Sequence, residues 1–100
     1  MQKKMYVLVR SEFSQGYVTA QSIHAVSEFA LEHTEEFNEW NNSTIVVLGV
    51  RFPRGMDRWE YILRSKGKVF STFLEPDQEG QPTAIACYDT GELFKDLRTI

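Results

Sequence analysis

Residues 5–9 read MYVLV, residues 44–50 read TIVVLGV, and residues 17–33 between them read YVTAQSIHAVSEFALEH. Short apolar runs without polar alternation are the pattern of strands covered by helices on both faces, so the first and last of these segments are read as central strands. The middle segment carries Val18, Ser22, Ala25, Val26, Phe29 and Ala30 at helical spacing, which predicts a helix with one stripe turned inward. This alternation of strand, helix and strand makes the fold class α/β.

Outward from that unit, residues 33–42 are expected to add a short second helix, with Phe37 and Trp40 three apart on its inner side and Asn41 and Asn42 at its end. Pro53, Arg54 and Gly55 are expected to break the chain after the second strand, and Asp57 can cap a helix over 57–66. Trp59, Ile62 and Leu63 form its inward stripe, and Gly67 follows its basic last turn as a stop. Residues 69–74 (VFSTFL) and 83–87 (TAIAC) are rich in strand formers and supply strands three and four. The turn residues across 75–82 make a loop, and residues 90–97 fit a last short helix or turn that packs Leu93, Phe94 and Leu97. The order β-α-α-β-α-β-β predicts a three-layer α/β/α domain around a four-stranded mixed sheet.

Composition agrees with one such domain over residues 1–100: the 42% hydrophobic and 13% aromatic content is ample for one core. The single cysteine, Cys87, has no partner for an intramolecular disulfide. The apolar runs are far shorter than the roughly 18 to 20 residues of a membrane span, and the polar residues 1–4 do not begin a signal peptide. A cytoplasmic protein with no membrane association is expected. The net charge of -3 argues against a surface built throughout for a polyphosphate backbone. Charge is nevertheless segregated. Glu28, Glu32, Glu35, Glu36 and Glu39 crowd one stretch, whereas Arg51, Arg54, Arg58, Arg64, Lys66 and Lys68 fall within 51–68. The two runs are either solvated helix faces or, for the basic one, a local anion-binding patch.

Common chemical motifs are missing. His24 and His33 lie nine apart without HExxH or CxxC, so neither metal nor cofactor is expected. The chain also lacks GxxxxGK[ST], GxGxxG and GxSxG. What remains is a face of the first helix. At about 100° per residue, Tyr17, Gln21, His24 and Glu28 fall within about 60° of one another and are read as nearly opposite the stripe of Val18, Ala25 and Phe29. They are therefore expected to face away from the core, with Tyr17, Gln21 and His24 lining a cleft where the loop beginning at Glu75 meets the helix. An ordinary exposed histidine with Glu28 one turn later is the competing reading.

The run Gly16-Tyr17-Val18-Thr19-Ala20-Gln21-Ser22-Ile23-His24-Ala25, opening a helix directly after a strand, resembles the signature of the type 2 peptidyl-tRNA hydrolases, a glycine-lysine pair followed by AAQ-x-x-HA. Phe73-Leu74-Glu75-Pro76-Asp77 and Thr83-Ala84-Ile85-Ala86 are similar to that family's second block, an acidic residue at a strand end followed by a loop and a threonine-led strand. The resemblance spans most of the chain and implies a peptidyl-tRNA hydrolase type 2-like fold. It implies hydrolysis of the ester of peptidyl-tRNA, or of a related aminoacyl ester, with tRNA as the possible partner. His24, Glu75 (less closely Asp77) and Thr83 stand where the catalytic residues would be, and Gln21 matches the family's glutamine. Tyr17 stands in the place of the family's lysine, and the 75–83 loop is shorter than the family's. Arg10 at the end of the first strand is the local candidate to replace that cation, and Arg51, Arg54 and Arg58 are candidates to meet phosphates. A non-catalytic binding or regulatory module on the same fold is the second expectation, with a homodimer formed through the apolar side of a helix pair.

Overall fold

The structure, a computed structural model, describes residues 2–51 and 53–100. Met1, at the start of the polar opening, and Phe52, next to the chain break read at residues 53–55, lie outside the described residues. Four strands, β1 (Lys4–Arg10), β2 (Ile45–Val50), β3 (Val69–Glu75) and β4 (Gln81–Asp89), form one open sheet in the order β2-β1-β4-β3. β1 runs parallel to β2 and antiparallel to β4, which is antiparallel to β3, so the sheet is mixed.

Alternate residues of the central strands feed opposite faces, as the two-residue period of a strand requires. On one face Met5, Val7 and Val9 of β1 and Ala84, Ala86 and Tyr88 of β4 lie under α1 (Gln15–Glu32) and α2 (Thr34–Trp40), which contribute Val18, Ala25, Phe29 and Trp40. On the other face Leu8, Leu48, Val50, Ile85 and Cys87 lie under Met56 and Leu63 of α3 (Pro53–Ser65), with Phe94 alongside. Helices therefore cover both faces, and the three-layer expectation matches the described chain. Burial also raises the Cys87 thiol pKa to about 12, so it is an inert core residue. No helix among the described residues is long and apolar enough to cross a membrane.

Two sequence expectations need correction. The run at residues 44–50 is not a central strand: β2 sits at the sheet edge, and the second central strand is β4, buried from Thr83 to Asp89. An apolar run reports cover above and below a strand, not neighbours beside it, so it could not distinguish the two positions. The third helix also begins at Pro53 rather than at Asp57. Proline is accommodated in a first helical turn, where its missing N–H would have no intrahelical partner, so the supposed break is the helix start. Its end is as read: Gly67 takes φ +65°, and the Lys68 amide donates to Leu63 O at 2.9 Å.

Two connections fix the ends of the sheet. Trp40 Nε1 donates to Thr44 O at 2.8 Å, tying the end of α2 to the entry of β2. Gly91 turns the chain after β4 at φ +94°, and a Cβ there would lie 2.1 Å from the Tyr6 hydroxyl oxygen, so only glycine fits. The region expected as a last helix or turn is a single 3₁₀ turn, Glu92–Phe94, and residues 98–100 then run beside β2.

Candidate functional site

α1 starts where Ser14 caps it, its hydroxyl accepting from Tyr17 N at 3.4 Å, which satisfies one of the free amides of the first turn. From there the helix crosses the sheet over β1, β4 and β3. This brings its polar face to the end of β3 and the start of β4. Gln21 Nε2 donates to Glu75 Oε1 at 2.8 Å, and Thr83 Oγ1 donates to Gln21 Oε1 at 2.5 Å. Three residues from three separate elements thus make one hydrogen-bonded line. Glu75 Oε2 also accepts from the Asp77 amide at 3.3 Å, and it is the Glu75 carboxylate that joins the line. His24 lies flat on Phe73, the ring centroids 4.4 Å apart and the planes 9° from parallel.

The orientation expected for α1 needs one correction. His24 is exposed and Tyr17 and Glu28 are half-buried, but Gln21 is 1% exposed, more buried than Val18 at 6%. Gln21 and Ala25 are four residues apart, only about 40° around a helix. The polar face therefore lies about a quarter turn from the apolar stripe, not opposite it, and Gln21 is its inward edge. Both ends of the carboxamide are satisfied there, which removes the cost of burying it.

Hydrogen bonding from Gln21 is the largest influence on Glu75, holding its carboxyl below the ordinary value of 4.5 against the opposing effect of burial. The Asp77 amide, the charge of His24 and the nearby Tyr17 hydroxyl act in the same direction. The folded-state pKa is depressed, so this residue contributes stability above its unfolded value that is lost as pH falls through the folded one. Gln21→Ala should raise the Glu75 pKa and shrink the stability lost below about pH 4.5. A carbon-detected NMR titration of the Glu75 carboxyl in both proteins checks this, and an unmoved Glu75 would refute the assigned cause.

Arg10 reaches the same end of the sheet but its charge is engaged. The guanidinium pairs with Glu12, approaches Gln81 Oε1 at 3.5 Å and lies 4.5 Å over the Phe13 ring. The Glu12 carboxyl is in turn held below its ordinary value, first by the Arg10 hydrogen bond. Phe13 meets the Tyr17 ring edge-on at 4.6 Å, and the buried Tyr17 hydroxyl, near enough to Glu75 to influence its carboxyl, makes no hydrogen bond of normal geometry among the described residues. Arg54 and Arg58 are exposed on α3, the helix on the opposite face of the sheet. They do not join this cluster. Thr83 is fully buried and its single hydroxyl proton goes to Gln21. The sequence reading also missed Phe73, Phe13, Glu12 and Gln81. Only Phe73 left a signal, an aromatic two residues before Glu75 in the same strand.

No protein-family model matches the chain, and no curated protein matches it.

Proposed function

We infer that this α/β domain has the architecture of the type 2 peptidyl-tRNA hydrolases and hydrolyses the ester joining a peptide to the 3′-terminal ribose of tRNA, or a related aminoacyl ester. The observation that carries this reading is the convergence of Gln21, Glu75 and Thr83 into one hydrogen-bonded line next to His24. These are the residues that the resemblance singles out, and they come from 21, 24, 75 and 83 in the sequence.

In this reading His24 is the general base, since histidine is the side chain most often used for proton transfer and this ring is exposed to incoming ligand. Water attacks the ester carbonyl carbon and gives its proton to His24. The bond from carbon to the ribose oxygen then breaks, and His24 returns the proton to that oxygen, leaving a free carboxylic acid and a 3′-hydroxyl. Phe73 holds the imidazole by stacking, and the Glu75 carboxylate stabilises the imidazolium formed on the way. Gln21 and Thr83 position Glu75. With tyrosine at position 17 and Arg10 already paired with Glu12, no unpaired Lys or Arg of this cluster is seen among the described residues to meet a phosphate or oxyanion, so turnover is expected to be slow.

That same pairing favours the second reading, a binding or regulatory module that uses the fold without hydrolysis. The test is release of peptide from purified peptidyl-tRNA by the intact chain, run beside a tRNA-binding measurement. Slow, protein-dependent ester cleavage supports the enzyme reading. Binding without cleavage supports the module, and neither would overturn both.

A further inference from the structure

The helix α3 has two faces of opposite chemistry. At about 100° per residue, Arg54, Arg58 and Tyr61 fall within about 60° of one another, and this stripe points about 180° away from Met56 and Leu63, which the helix buries against the sheet. Arg54 and Arg58 are exposed, and Tyr61 is 72% exposed. The stripe is compact: Arg58 stands about 6 Å along the axis from Arg54, and Tyr61 about 4.5 Å further. Exposed Arg51, three residues before Arg54, extends the charge beyond the start of the helix.

The fold makes no use of these cations. The ion pairs among the described residues join Arg10 to Glu12, Arg64 to Glu60 and Lys68 to Asp89, so Arg51, Arg54 and Arg58 have no carboxylate partner there. Arg54 also stands in the first turn of α3, which holds no acid and where a cation opposes the helix macrodipole. Its place therefore costs stability. The most acidic stretch of the chain, Glu28, Glu32, Glu35, Glu36 and Glu39, belongs to α1 and α2 on the other face of the sheet. A chain of net charge -3 thus keeps a basic face clear of its main acidic one, and a polyanion is drawn to the α3 side.

We propose that the outer face of α3 binds a short stretch of single-stranded nucleic acid, with Arg51, Arg54 and Arg58 meeting backbone phosphates and Tyr61 stacking on an unpaired base. Guanidinium groups match phosphate oxygens through paired N–H donors. An aromatic ring accepts any base on its face, and the two together hold single strands without sequence preference. A duplex offers Tyr61 no unstacked base. An anionic membrane fits less well, because a helix lying in a bilayer interface buries an apolar face there, and the apolar face of α3 is already closed against Leu8, Ile85 and Cys87. This surface lies across the sheet from His24 and involves no ester chemistry, so it stands independently of the hydrolysis reading.

The test is fluorescence anisotropy of a labelled oligouridylate about twelve nucleotides long, titrated with the intact chain over a range of salt. Expected is binding at about 50 mM salt, with the logarithm of affinity falling against the logarithm of salt at a slope of about -2, as for three phosphates met on a single strand. Arg54→Gln combined with Arg58→Gln should weaken binding about tenfold or more and bring the slope to about -0.7. Tyr61→Ala should weaken it about fivefold or more and leave the slope unchanged. Lys3→Gln combined with Lys4→Gln removes the same charge at the start of β1 and should leave affinity and slope nearly unchanged. Arg54, Arg58 and Tyr61 are exposed, so these variants keep the fold, which a thermal melt verifies. No binding at low salt, an equal loss from the lysine pair, or affinity indifferent to Tyr61 would overturn the proposal. Tighter binding of a duplex of the same length would remove the single-strand assignment, and sedimentation with anionic phospholipid vesicles in place of oligonucleotide binding would assign the face to a membrane instead.

Discussion

If the proposed hydrolysis of peptidyl-tRNA holds, His24→Ala should reduce it by about 10²-fold or more, the usual effect of removing a positioned acid-base group. The imidazole is exposed and touches the fold chiefly through its stack on Phe73. Its loss should change stability by less than about 0.5 kcal/mol, as for other surface substitutions. Activity and folding are therefore separable in this variant. Single-turnover cleavage beside a thermal melt reads both, and cleavage indifferent to His24 would remove the role assigned to it. A fall in kcat with KM unchanged is the specific expectation, since the base acts in the transition state and not in binding.

Phe29→Ala should be the most damaging change to the fold. The ring is fully buried between α1 and the sheet, among Met5, Val7, Ala84 and Ala86, and it meets His33 at 4.9 Å between ring centroids. Truncation at such a site costs about 3 to 5 kcal/mol, from lost burial and from the cavity left behind. In a domain of this size that corresponds to a fall in Tm of about 12 to 40 °C. Chemical denaturation and calorimetry measure it directly. A loss under about 1 kcal/mol would mean that α1 does not pack as described.

How much of the site was legible depends on the range of the interaction. The pairing of Gln21 and His24 on one turn of α1 followed from helical spacing, because two residues three apart share a face whatever the rest of the chain does. The bonding of Gln21 to Glu75 and Thr83 was legible only as a resemblance to a family pattern. The contacts span 54 and 62 residues, and local periodicity carries no information at that distance. The burial of Gln21 was missed because its face was read as nearly opposite the apolar stripe, although four residues of helix put Gln21 only about 40° from Ala25. A glutamine is ordinarily placed outside by its polarity, and the two partners brought by β3 and β4 make the interior place acceptable.

Arg10 illustrates the same limit from the opposite side. Its position at the end of β1 was readable, and so was its candidacy as a substitute cation. Its neutralisation by Glu12 and its seat on Phe13 depend on how the turn after β1 folds back.

By itself the sequence determined the α/β class, the existence of four strands and three helices, the inward residues Val18, Ala25 and Phe29, and the stop at Gly67. Each is set by burial periodicity or by backbone preferences acting within a few residues. Only the tertiary structure decided that β4 rather than β2 is central, that Gln21 meets Glu75 and Thr83, and that Arg54 and Arg58 lie across the sheet from His24. Those outcomes rest on which strand edges pair and which faces meet, a choice made by the packing of the whole chain and not by any local stretch of it.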